Sequence, residues 1–282
     1  MTDGFYRALE ERYYAPRSVI RTLRQQYMPF IEPLAEVFGG EKILDLGCGR
    51  GEWLELMKAK GFDVFGVDLD EGMLQDCYAL GLPAAKGDAV QHLRNVAQTS
   101  QVMISAFHVI EHISFDCLRA IAEESYRVLK PGGLLLLETP NPENIRVATK
   151  DFYIDPTHQR LVPQELLTFL LDYYGYKRLK VFRFPESGEL LSKARPTLLD
   201  VLYGASQNYA VVAQKEAAGE IMQRFDTAFA SESGVSLETL AERFERRIIR
   251  LTQLEALLER IRDTWGWRKS RKIYQQVRRT FR

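Results

Sequence analysis

The chain has 282 residues, 46% hydrophobic and 27% charged, with 38 basic and 38 acidic side chains. That suits one sizeable α/β domain plus an appendage, and it excludes disordered, fibrous and collagen-like classes. No apolar run approaches ~18 residues, Met1–Phe5 lack the basic and apolar regions of a signal peptide, and Cys48, Cys77 and Cys117 are too scattered for a disulfide framework or zinc cluster. A protein of the reducing cytoplasm is expected.

Residues 5–37 predict helices interrupted at Pro16. A buried strand at 42–46 follows and breaks into a glycine turn in Ile43-Leu44-Asp45-Leu46-Gly47-Cys48-Gly49-Arg50-Gly51-Glu52. Gly47, Gly49 and Gly51 let the backbone bend tightly and approach a ligand. A second strand at 64–68 ends in Asp68, 23 residues past Asp45, where an acid is placed to take both hydroxyls of a ribose. The G-x-G-x-G spacing differs from the dinucleotide fingerprint. Asp45 and Glu52 bracket the turn with negative charge, which suits a cationic amine or sulfonium better than a pyrophosphate.

Strands near 84–87, 102–107 and 134–139 alternate with helical patterns at 52–60, 71–79 and 115–129. A helix at 163–174 and strands at 178–184 and 208–214 complete seven strands. The alternation predicts a Rossmann-like, doubly wound, mostly parallel α/β sheet. Ligands of such sheets bind outside the carboxyl ends of the strands, where Asp45, Asp68, Asp88 and His108 fall. The Pro- and Asn-rich segment 138–158 predicts a long irregular loop on that edge, a natural acceptor site.

From Ser236 the pattern changes. Residues 216–263 predict a helical linker, broken at Gly234, and then a coiled coil. Leu237, Leu240, Phe244, Leu251, Leu254, Leu258, Ile261 and Trp265 take a and d heptad positions, and only Arg247 interrupts them. The coiled coil over 236–265 predicts a homo-oligomer; the alternative is an amphipathic helix docked on its own domain. Seven cationic residues lie after Asp263 and no acidic ones do, which leaves 31 basic against 38 acidic residues in 1–263. With Trp267, Tyr274, Val277 and Phe281 near one face, residues 264–282 predict a basic amphipathic tail on an anionic membrane surface. No nucleic-acid-reading module accompanies the tail, so no nucleic-acid partner is expected.

Four ordered motifs carry a family resemblance: Asp45-Leu46-Gly47-Cys48-Gly49-Arg50-Gly51, Gly66-Val67-Asp68, Gly87-Asp88-Ala89 and Leu129-Lys130-Pro131-Gly132-Gly133. Over residues 1–215 the chain resembles the class I S-adenosylmethionine-dependent methyltransferases. The resemblance implies that Asp45 and the three glycines cradle the methionine part, Asp68 with Leu69 binds the ribose, and Asp88 with Ala89 reaches the adenine. It also implies that Phe107 and His108 lie below the cofactor, that residues 1–40 form a helical lid whose Tyr14 and Arg17 come from a helix closing over it, and that the last two strands are antiparallel neighbours.

His108-Val109-Ile110-Glu111-His112 matches the zinc pattern H-x-x-E-H, which needs a helix to bring both histidines to one ion. Here it follows a strand, so no metal is expected. His112 is placed near the acceptor. His158 is the candidate general base, with Asp155 to orient it, because a sugar hydroxyl must lose its proton as its oxygen attacks the sulfonium carbon. The alternatives are hydrogen-bonded strand-end histidines and a capped turn at 155–158; positioning alone could also supply much of the rate. Residues 108–112, 138–144 and 155–158 resemble bacterial methyltransferases found beside, or fused to, glycosyltransferases of surface-polysaccharide (O-antigen) synthesis. That likeness implies a glycan acceptor, glycosyltransferase partners, chain termination and a peripheral place on the inner membrane. A quinone- or catechol-type small-molecule methyltransferase and a non-enzymatic coiled-coil scaffold remain the alternatives.

Overall fold

The structure is a computed structural model and describes residues 15–184, 190, 193, 195–263, 266, 269–272 and 276. Seven strands form one sheet: β1 (Lys42–Leu46), β2 (Asp63–Asp68), β3 (Ala84–Lys86), β4 (Gln101–Phe107), β5 (Leu129–Pro140), β6 (Arg178–Arg183) and β7 (Asn208–Gln214). Their order is β3-β2-β1-β4-β5-β7-β6. β1 to β5 pair in parallel, and β7 runs antiparallel to both β5 and β6. β5 begins five residues before the expected strand, because Leu129 already pairs with Gln101 ahead of a register shift through the Pro-Gly-Gly turn.

The period of two along each strand builds a core on both faces. Ile43, Leu134 and Leu136 point into one layer, while Leu44, Leu46, Leu135 and Leu137 point into the other. Helices α1 (Arg17–Arg24) and α2 (Met28–Phe38) cover the first face, with Phe30, Ile31 and Leu34 buried. The second face is covered by the helix Phe115–Val128, whose N-cap Ser114 accepts from the Cys117 amide and which buries Leu118, Ile121 and Ala122. Each such buried leucine contributes about 1.5–3 kcal/mol by leaving water.

The segment expected as a linker packs instead against the sheet. Its short helices Gly219–Arg224 and Asp226–Ala230 place Phe225 and Ala228 in the first core layer, with Ile221 and Phe229 against it. These apolar residues are too closely spaced to leave exposed, so the folded unit runs past residue 215. The helix Leu237–Asp263 divides in two. Leu240 is buried with Val201 and Val235, and Leu237 and Phe244 pack beside them, so the first heptad docks on its own domain. Arg247, the interruption in the heptads, donates to the Pro196 carbonyl at 3.0 Å. Past it the seam faces solvent, with Leu251, Leu254, Leu258 and Ile261 each 45–64% exposed. Tyr14 and the start of the lid lie outside the described residues, as do Trp265, Trp267, Tyr274, Val277 and Phe281. Among the described residues no helix is long and apolar enough to cross a membrane.

Candidate active site

The carboxyl ends of β1, β2, β4 and β5 meet at one edge of the sheet. After β1 the chain turns through Gly47, Gly49 and Gly51, all with positive φ (67°, 52° and 78°). A Cβ at Gly47 would run into the Val109 side chain, and one at Gly51 would sit 2.7 Å from the Cys77 sulfur. Only glycine satisfies both the backbone angle and the space. Asp45, next to last in β1, is fully buried, with the Ser105 hydroxyl donating to it at 2.7 Å. Burial pushes its carboxyl up to about 7, against the opposing pull of Ser105 and Arg24.

Asp68 accepts from the Gly49 amide at 2.8 Å and the Asp70 amide at 2.9 Å, so it ties β2 to the turn. Leu69 beside it is 68% exposed, an apolar surface available to a flat base. Asp88 caps the helix Ala89–Asn95 by accepting from the Gln91 amide at 2.9 Å, which engages one of its oxygens. Arg17 donates to the Arg50 carbonyl at 2.7 Å and pairs with Glu55 at 3.1 Å, pinning α1 against the glycine turn. The chemistry of this cradle of residues suits S-adenosylmethionine: Asp45 would face the amine and sulfonium, Asp68 the ribose and Leu69 the base. Phe107 belongs to an aromatic cluster with Tyr27 and Trp53, and the Arg24 guanidinium lies 3.7 Å over its ring.

Sequence reasoning missed the buried ion network below this cradle. Glu138, at the end of β5, is fully buried and accepts from Arg24 and from the Tyr27 hydroxyl at 2.7 Å. His108, in the left-handed region at φ 57°, spans two carboxylates: Nδ1 lies 3.0 Å from Glu111 Oε1 and Nε2 3.2 Å from Glu138 Oε1. Burial alone would lower the His108 pKa, but the bonds and charges of Glu111 and Glu138 win and hold it at about 9. Burial would likewise raise Glu138, yet Arg24 and His108 hold it at about 2. His108 is thus a structural cation. The signal was present in Leu134-Leu135-Leu136-Leu137-Glu138, a carboxylate closing a run of four leucines.

His112 and His158, 46 residues apart, come together with ring centroids 4.6 Å apart. The His158 Nδ1–H donates to the Phe152 carbonyl at 2.6 Å, and its ring stacks on Phe152. Asp155 does not orient His158 as expected, since it lies 4.0 Å from Nε2, beyond hydrogen-bond length. Asp155 accepts instead from the Thr157 amide at 2.8 Å and the Thr157 hydroxyl at 2.7 Å. With its proton committed to Asp155, the Thr157 oxygen can only accept from His112 Nδ1 at 2.9 Å. In its neutral form each imidazole therefore carries its proton on Nδ1 and presents Nε2 as an acceptor. Burial lowers the His112 pKa, against the opposing charge of Glu111, and keeps the ring neutral at pH 7.

A sheet of this order with this cofactor cradle defines the class of S-adenosylmethionine-dependent methyltransferases. Residues 19–181 match the family described as "Methyltransferase domain", and the chain belongs to that family. A solved S-adenosylmethionine-dependent methyltransferase from Archaeoglobus fulgidus is 28% identical with a TM-score of 0.65, covering 75% of this chain and all of that one. A "Ubiquinone biosynthesis O-methyltransferase" from Idiomarina loihiensis is 28% identical over 48% of this chain and 58% of its own length. A "Probable S-adenosylmethionine-dependent methyltransferase" from Mycolicibacterium smegmatis is 30% identical over 51% of this chain and 55% of its own. The chain thus spans a little over half the length of these curated relatives.

Proposed function

We propose that this protein transfers a methyl group from S-adenosylmethionine to a hydroxyl oxygen, and that the acceptor is a sugar of a bacterial surface glycan. The observation that carries oxygen as the acceptor atom is the pair of imidazoles, His112 and His158, each with Nδ1 spoken for and Nε2 open. When bound, the cofactor supplies an electrophilic methyl on a sulfonium. The chain's part is to hold that cation over Asp45, bring the hydroxyl into line and take its proton on an imidazole nitrogen. His112, kept neutral by burial and braced through Thr157 to Asp155, is as well placed for this as His158.

The glycan rests on the resemblance of residues 108–112, 138–144 and 155–158 to methyltransferases of polysaccharide synthesis. In this reading the exposed seam 248–263 joins copies of the chain, and the cationic tail 264–282 holds the assembly on the cytoplasmic face of the inner membrane beside glycosyltransferases. The competing acceptor is a small phenol or quinol, favoured by the ubiquinone O-methyltransferases among its relatives.

Radiolabelled methyl transfer decides between them. Label is expected in a lipid-linked glycan fraction and absent from catechol and polyprenyl-phenol acceptors; label in the phenols alone would overturn the glycan reading. Flotation on anionic vesicles tests the tail. Binding that disappears with residues 264–282 supports it, and an unbound full-length chain at low salt rules it out.

A further inference from the structure

We propose that Glu111, His112 and His158 form a binding site for a divalent first-row transition-metal ion. One ligand atom from each of the three lies within 4.8 Å of the others, in a group that is buried or half-buried. The three come from two separate segments, the turn after β4 and the loop 155–158, so no local pattern assembles them.

The surroundings of each side chain are those of a ligand. A metal-binding histidine donates its second ring N–H to an oxygen, which fixes both tautomer and ring orientation. Both imidazoles do so: His112 Nδ1 to the Thr157 hydroxyl oxygen at 2.9 Å and His158 Nδ1 to the Phe152 carbonyl at 2.6 Å. That leaves Nε2 of each ring to ligate. Glu111 is braced in the same way, by His108 at Oε1 and by the Thr139 hydroxyl at Oε2, both at 3.0 Å, and each oxygen retains a second lone pair.

His108 is excluded from the ligand set because Glu111 and Glu138 occupy its two ring nitrogens. The H-x-x-E-H pattern, whose ligands are its two histidines, thus names His112 and misnames His108; His158 takes the place of His108, and Glu111 joins as the carboxylate ligand. Two imidazoles and one carboxylate suit Fe²⁺, Co²⁺, Mn²⁺ or Zn²⁺, whereas Mg²⁺ and Ca²⁺ prefer oxygen alone. The proposal rests on the reading of the site above only in placing the ion beside the acceptor. An imidazole that ligates an ion cannot also take a proton, so metal binding and base catalysis are separable by experiment.

The test uses the full chain, stripped with a chelator and titrated with Co²⁺. Saturation of a ligand-field band at one equivalent is expected. His112→Ala and His158→Ala should each weaken Co²⁺ binding by more than about 100-fold, a loss beyond that from removing an outer-shell partner. His92→Ala, at a half-buried histidine stacked on Phe65 and outside the cluster, should bind as the parent does. Calorimetry with S-adenosylmethionine confirms that each variant retains the folded cofactor site. His158→Cys guards against a variant that fails to fold: it should bind Co²⁺ with a new sulfur-to-metal charge-transfer band, which only ligation at position 158 can give. No stoichiometric Co²⁺ binding by the parent, or a His158→Ala variant binding as tightly as the parent, overturns the site. Methyl transfer that persists after chelation leaves base catalysis standing, and Co²⁺ binding alone then decides the metal site.

Discussion

Replacing Asp45 with Asn should stabilise the protein while weakening its hold on the cofactor. The carboxyl is 1% exposed, so solvent does not screen the cost of its charge. Its folded pKa of about 7 lies above the ordinary 3.8, so between those values the native state keeps a proton that the unfolded chain has lost. Stability therefore falls as pH rises across that window and levels off above it. The full penalty is about 4 kcal/mol, of which roughly a third accrues between pH 6 and pH 8. An amide at this position carries no such charge and still accepts from Ser105. Urea unfolding at both pH values should show the Asp45→Asn variant gaining on the parent by about 1 kcal/mol from pH 6 to pH 8. Cofactor affinity should move the other way, tenfold or more weaker by calorimetry at pH 8, because a charge-assisted contact of ~1.5–3 kcal/mol is lost. A stability difference that is flat with pH would sink the buried-carboxyl argument. Unchanged affinity would remove Asp45 from the cofactor site.

Arg24→Ala leaves Glu138 buried beside a single remaining cation, His108, and should cost about 3–5 kcal/mol of stability, read as a lower urea midpoint. The matched Arg24→Ala, Glu138→Gln pair should recover much of that loss, and no recovery would mean that packing over Phe107 is what Arg24 supplies. His158→Ala should lower turnover by about 10²–10⁴ with cofactor affinity nearly unchanged, and a loss under about threefold would reduce His158 to turn structure. Leu251→Asp with Leu254→Asp places charge on the solvent-facing seam and should convert an oligomer into a folded monomer by light scattering. A parent protein that is already monomeric would refute the coiled-coil reading.

The amino-acid sequence by itself determined what depends on neighbours along the chain. Strand and helix periods, the three-glycine turn and the acids at the carboxyl ends of β1 and β2 are local demands of backbone angle and face, and each stands where its spacing placed it. Seven strands and the cofactor class followed from them. Tertiary structure decided what depends on partners far apart in the chain. Arg24 meets Glu138 across 114 residues and His112 meets Thr157 across 45, and no period predicts such pairs. The same holds for His158, whose ring is held by the Phe152 carbonyl at 2.6 Å rather than by the nearby Asp155 carboxylate at 4.0 Å. The apolar residues of 219–230 and 237–244 are equally helical as a linker or as part of the core. Only the surface left open beside β6 and the helix Leu198–Tyr203 selected the core, since burial against a waiting apolar face is a property of two segments together.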